Sequence, residues 1–308
     1  GALAGLERLC ALPTEAPHPG RRGVRPRLAY VSPLAPERSG IASYSAELLP
    51  ALGQHYDIDL VTGSDATTDT YLTASFPLRS LEWFRSHADL FDSVLYHFGN
   101  SEFHVHMLPL LEEVPGVVVL HDLYLGGVQA FREFGAGHRH AWSRSLYGSH
   151  GYPALIQHFR TPDITDTIYR YPCSLDVLQR AQGVIVHSPH AIDLARRWYG
   201  SIADDLEMVP LLRAPSSPFE ADERQRARGV LGLGPDDFLV CSFGLLGPTK
   251  LVDRLLHAWR ASRLAADSRC KLRFVGENSS DAYGAELLRQ IERDPGGVEI
   301  TGRASSET

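Results

Sequence analysis

The stretch VVVLHDLYLGG, residues 117–127, decides how the chain is read. Val117 to Leu120 is a continuous, mostly β-branched apolar run. Such a run suits a strand of a parallel sheet covered on both faces better than the alternation of a half-exposed strand. His121 and Asp122 then stand at its carboxyl end, where open α/β sheets bind ligands. Two accounts of these residues stay open at this level. His121, with an ordinary pKa of about 6.5, is either a giver of hydrogen bonds to ligand hydroxyls or a buried, satisfied histidine. Asp122 either accepts a hydrogen bond or caps the next helix.

Working outward, LAYVSP (residues 28–33) reads as a strand. SGIASYSAELLPAL (39–52) reads as the helix after it, because Ile41, Tyr44, Leu48 and Leu52 recur at near-helical spacing. Ser39 is in N-cap position, and Gly40 lets backbone approach a ligand or pass through a tight turn. YDIDLVTG (56–63), SVLYHF (93–98) and GVIVHS (183–188) continue the strands, with helices around LEWFRSHADLF and HAIDLARRWYG between and after them. This alternation predicts a doubly wound parallel sheet with the loops after 31, 98, 120 and 188 on its carboxyl edge. Residues 126–172 read as short helices and loops without an assigned role.

A second strand–helix run follows: DDFLVCSFGLLG, VDRLLHAWRASRLA, CKLRFVGEN, AYGAELLRQIERD and GVEITG. The expected organisation is therefore a flexible N-terminal segment 1–26, a Rossmann-like domain 27–210, and a second, partial Rossmann-like domain 211–308. A complete domain of this kind needs about 150 residues, more than the second run supplies.

Composition narrows the partners. The chain has 308 residues and a formal net charge of -7, which gives no reason to expect nucleic acid. Cys10, Cys173, Cys241 and Cys270 are far apart and lack metal-ligand spacing, and Cys241 within FLVCSF reads as a small buried strand residue. With no membrane-length apolar run and no basic start to GALAGLERLC, the expected location is the cytoplasm.

Three further loops carry candidate chemistry. YHFGNSEFHVHM (96–107) is rich in histidine but has no compact trio with a carboxylate, so no metal is expected. Asn100 and His104 are instead suited to hydrogen-bonding a sugar. FGLLGPTK (243–250) sets Lys250 beyond a glycine turn that includes Gly244, where backbone N–H groups and the ammonium suit a diphosphate. Gly276, Glu277 and Asn278 end the next strand on the same side. The two carboxyl edges are expected to face each other across a groove.

Taken in order, SGIASYSAELL, YHFGNSEFHVHM, VVVLHDLYL, GVIVHSPHA, FGLLGPTKLVDRLLHAW, FVGEN and VEITGR resemble the retaining glycosyltransferases of family 4, across residues 27–303. The resemblance implies a GT-B fold of two doubly wound parallel-sheet domains, the second incomplete here. It implies no cofactor beyond a nucleoside diphosphate sugar as donor. The acceptor is a hydroxyl of a glycan, a lipid-linked glycan or a small molecule, which brings in the inner face of a membrane as a place of peripheral contact. Residue by residue, Gly40 maps to the glycine near donor phosphate and acceptor, His121 to the histidine that contacts the transferred sugar, and Lys250 to the lysine on the diphosphate. Two departures stand out: GLL replaces the family's GR-hydrophobic loop, and the E-x7-E segment is absent before Thr308. The missing part is expected from a further segment of the same protein or from a partner chain. The rival readings are a noncatalytic sugar-nucleotide-binding or assembly subunit, and an epimerase or phosphorylase of similar form.

Overall fold

The computed structural model describes residues 25–64, 67–213 and 221–303. The expected N-terminal segment, Cys10 included, falls almost wholly outside them. Residues up to 213 and residues from 221 belong to two separate compact units.

The first unit has seven strands: β1 (Arg27–Val31), β2 (Asp57–Val61), β3 (Leu78–Arg79), β4 (Ser93–Phe98), β5 (Val117–Leu120), β6 (Gly183–Val186) and β7 (Leu206–Met208). They pair in the order β3-β2-β1-β4-β5-β6-β7, every pair parallel. Strand order reverses between β1 and β4, which makes their carboxyl ends the topological switch point of a doubly wound sheet. The helices are α1 (Gly40–Leu52), α2 (Thr70–Ser75), α3 (Leu81–Ser86), α4 (Met107–Glu113), α5 (Gly126–Phe134), α6 (Ala141–Arg160), α7 (Ile164–Arg170), α8 (Leu175–Arg180) and α9 (Pro189–Tyr199).

Alternate residues of the central strands feed two cores. Val118, Leu120, Tyr96 and Phe98 pack with α4, α5 and α8 on one face. Leu95, Val117, Val119 and Ile185 pack with Tyr44, Leu48 and Leu52 of α1 on the other. All four residues of β5 are buried, as a strand covered on both faces requires. Each such aliphatic side chain contributes roughly 1.5–3 kcal/mol when fully buried. The edge strands β3 and β7 went unread because two or three residues carry too little pattern.

The second unit contains α10 (Ala221–Val230), β8 (Phe238–Phe243), α11 (Val252–Arg260), β9 (Cys270–Val275), α12 (Ala282–Arg293) and β10 (Val298–Gly302). Its three parallel strands lie in the order β10-β9-β8, one half of a doubly wound sheet. β9 is central and alternates buried with part-buried residues. β8 is an edge strand among the described residues, and none of its six residues is buried. Cys241 is accordingly exposed, a correction to the buried reading: an apolar strand hides its side chains only if something covers it.

Candidate functional site

The carboxyl edge of the first sheet gathers three histidines. The parallel register pairs His97 with Val119 and Val119 with Ile185, so period two puts His97, His121 and His187 on one face. That face is the one covered by α1, and Tyr44 sits edge-on to His121 at 5.0 Å between ring centroids. Helix α1 starts where expected: Ser39 caps it by accepting from the Ile41 N–H. The first helical residue, Gly40, is exposed, and a Cβ there would meet nothing within 4 Å. No neighbour among the described residues demands glycine at this point.

The histidines form a chain with a direction. His187 Nδ1 lies 2.9 Å from the Val209 carbonyl, His187 Nε2 lies 3.1 Å from His121 Nδ1, and His121 Nε2 lies 3.1 Å from His97 Nδ1. A carbonyl only accepts, so His187 Nδ1 carries the hydrogen. Burial, above all, lowers the pKa of all three rings, and His121 is brought down to about 3. With every ring neutral, His187 Nε2 accepts from His121 Nδ1–H, and His121 Nε2 accepts from His97 Nδ1–H. His97 Nε2 is left buried without a partner. Because the chain ends on a carbonyl it passes no proton onward. It is a lock on ring orientation and tautomer.

The other expected residues are distributed as follows. Asp122 is exposed but does not cap the next helix, since the N-cap position of α5 belongs to Leu125. The capping oxygen comes from Asn100, whose Oδ1 accepts from the Val128 N–H at 3.1 Å. This accounts for the double glycine: a Cβ on Gly126 would stand 2.6 Å from the Ile168 carbonyl oxygen, and one on Gly127 would stand 2.8 Å from Asn100 Oδ1. Leu123 and Leu125, the apolar residues after His121, are buried in the first core. His104 is turned inward at 1% exposure, with Nδ1 against Ser101, so it shapes the loop and is out of a ligand's reach. Glu37, in the loop before α1, was missed: its Oε2 is buried without a partner, and burial raises its pKa. His97 and His187 were also passed over, although SVLYHF, VVVLHD and GVIVHS each place a histidine at a strand end.

In the second unit the carboxyl edge is made of backbone. Gly244 has φ +124°, and a Cβ on Gly276 would lie 1.8 Å from the Gly244 carbonyl oxygen, so the two strand ends meet only as glycines. Lys250 follows in a single 3-10 turn, exposed and without an ion pair among the described residues, immediately before α11. Two backbone groups of that helix start are already used: Asp253 N donates to Tyr283 Oη at 3.0 Å, and the Val252 backbone bonds the same Tyr283 hydroxyl. Glu277 is exposed, and its carbonyl accepts from Leu246 N. The Asn278 amide donates to the Gly284 carbonyl at 2.9 Å, which ties it to the start of α12.

No family model matches the chain, and no curated protein matches it. Solved structures do. The Anabaena protein Alr3699/HepE in complex with UDP-glucose matches at 15% identity and a TM-score of 0.56, covering 91% of this chain and 70% of that one. The same protein with UDP matches at 16% identity and 0.54 over the same shares, and with UDP and glucose at 15% and 0.50. The chain therefore has a GT-B-like α/β fold of two Rossmann-like parallel-sheet units, the second sheet smaller than the first. Among the described residues no helix is long and apolar enough to cross a membrane.

Proposed function

We propose that the chain is the core of a glycosyltransferase that moves a hexose from a nucleoside diphosphate sugar to a hydroxyl of a glycan, a lipid-linked glycan or a small acceptor, with retention at the anomeric carbon. The observation that carries this reading is the switch-point edge of the first sheet. There a helix start with a glycine that no described neighbour requires adjoins a locked row of neutral histidines. The fold shared with a protein solved with UDP-glucose agrees with it.

In this reading Lys250 and the backbone N–H groups beside it hold the donor diphosphate and help most as charge develops on the leaving group. Gly40 admits donor phosphate or acceptor close to backbone. His121 positions the transferred sugar as a neutral ring at the strand end, its orientation held by His97 and His187. A ring brought down to about 3 is too weak a base to deprotonate an acceptor at neutral pH, and the resemblance to the retaining family implies that the leaving phosphate oxygen takes that proton. Asp122 stands beside His121 at the strand end, and Glu277 and Asn278 border the donor on the second unit.

The test is product analysis with labelled nucleoside diphosphate sugars and a panel of hydroxyl acceptors. Transfer with retained configuration is expected, and His121→Ala should lower turnover more than donor affinity. Epimerised donor, a requirement for inorganic phosphate, or unchanged H121A turnover would each overturn the assignment. The edge of β8, unpaired among the described residues and with Phe243 73% exposed, favours a second reading in which the donor half-site is completed by a further segment or a partner chain. Donor binding by this chain alone, as tight as by an assembled complex, would reject it.

A further inference from the structure

Residues 126–172, which gave no functional signal in the sequence, build one wall of a cavity of about 550 Å³ within the first unit. Helices α4, α5, α6 and α8 contribute its lining. That volume is in the range of small-molecule sites, about 300–1,000 Å³. It is distinct from the histidine edge: Glu112 and Arg180 lie just ahead of β5 and β6, toward the amino edge of the sheet, whereas His97, His121 and His187 are at the carboxyl edge.

The charges of the lining do not cancel. Its two carboxylates are both taken by one cation, with Arg180 2.6 Å from Asp176 Oδ1 and 3.1 Å from Glu112 Oε1. Arg132, Arg139 and Arg144 form no ion pair among the described residues, although Asp176 and Glu112 also act on Arg132 through space. Arg132 is half-buried, and its Nη1 donates to Oε1 of the buried Gln129 at 3.0 Å, which fixes the guanidinium. Ser145 and Ser149 also line it, their side chains hydrogen-bonded to Cys173 and Tyr199 beneath. Guanidinium forks match the oxygens of phosphate, and three of them exceed what a single carboxylate would neutralise.

The geometry points to a second binding site, in which Arg132, Arg139 and Arg144 hold the phosphoryl group of a small phosphorylated molecule such as a sugar monophosphate. The site stands independently of the donor reading, because it uses no residue of the histidine chain or of the second unit.

Calorimetric titration of the whole chain with a hexose monophosphate, and with the same hexose unphosphorylated, tests it. The phosphorylated probe should bind at one site per chain in wild type and equally in Lys250→Ala, while the bare hexose should not. Arg139→Ala and Arg144→Ala change exposed residues and leave the fold intact, and each should weaken binding about tenfold. Asp176→Asn removes a competing carboxylate and frees Arg180, so it should tighten binding. No binding by wild type, equal affinity in an R139A/R144A double variant, weaker binding in D176N, or loss confined to K250A would overturn the proposal.

Discussion

Both units repeat strand and helix in the same way, yet they hold their candidate residues by opposite means. In the first, β5 is wholly buried, and His121 at its end is gripped through both ring nitrogens by His97 and His187, with Tyr44 against its face. In the second, β8 has no buried residue, and Lys250 is placed by glycine turns and a helix start, with no ion pair among the described residues to hold its ammonium. The first arrangement fixes the direction of a neutral hydrogen-bond donor. The second leaves a strong charge mobile at a defined point. Substitutions should accordingly act on stability and pH response in the first unit, and split cleanly between backbone and ligand in the second.

The largest effect should come from closing the gap between the second unit's strand ends. Gly276→Ala would drive a Cβ into the Gly244 carbonyl, at a cost of about 3 kcal/mol or more, read as a lower urea midpoint for that unit. A midpoint within error of wild type would show that the backbone contact is not what positions Lys250.

Next comes the lock itself. His187→Ala leaves the His121 Nδ1–H without its acceptor, at about 2 kcal/mol of first-unit stability, and His187→Gln, which restores an acceptor oxygen near the position of Nε2, should recover part of it. Equal losses in both variants would mean that packing, not the hydrogen bond, is at stake.

The pH response is smaller but signed. His121 is brought to about 3 in the folded chain against about 6.5 unfolded, so below 6.5 the unfolded state takes up a proton that the folded state refuses. The ring's contribution is complete above that pH and is lost as pH falls toward 3. Between pH 6 and 4 His121 alone should cost on the order of 1 kcal/mol per unit, the other buried histidines with lowered pKa add to the loss, and His121→Gln should reduce the slope without abolishing it. An unchanged slope in H121Q would place the titrating group elsewhere.

Smallest on stability are Lys250→Ala and Gly40→Ala, each expected within about 0.5 kcal/mol of wild type. Both should weaken nucleoside diphosphate binding, K250A about tenfold at matched salt. Affinity equal to wild type in both would detach the glycine edge and the lysine from the donor.

Much of this contrast was legible in the residues. The β-branched run 117–120, the spacing of Ile41, Tyr44 and Leu48, and the order of strands and helices carry the parallel sheets, because burial on two faces leaves a period that can be counted. What lies between elements was not. That Asn100, not Asp122, caps α5 depends on a loop folding back over 28 positions, and no local pattern records it. The histidine lock needed the register of three strands, since each histidine alone reads as an ordinary strand end. Cys241 misled because FLVCSF has a buried strand's composition while its neighbour on one side is absent from the described sheet.

The central claim is that His121 is a neutral ring whose tautomer is dictated by its neighbours, and the long-range 1H–15N spectrum of its imidazole tests this most directly. The account predicts the Nδ1–H tautomer at pH 7, no imidazolium down to pH 5, and a shift away from Nδ1–H in His187→Ala. An Nε2–H tautomer in wild type, protonation near pH 6.5, or a spectrum indifferent to His187 would contradict it.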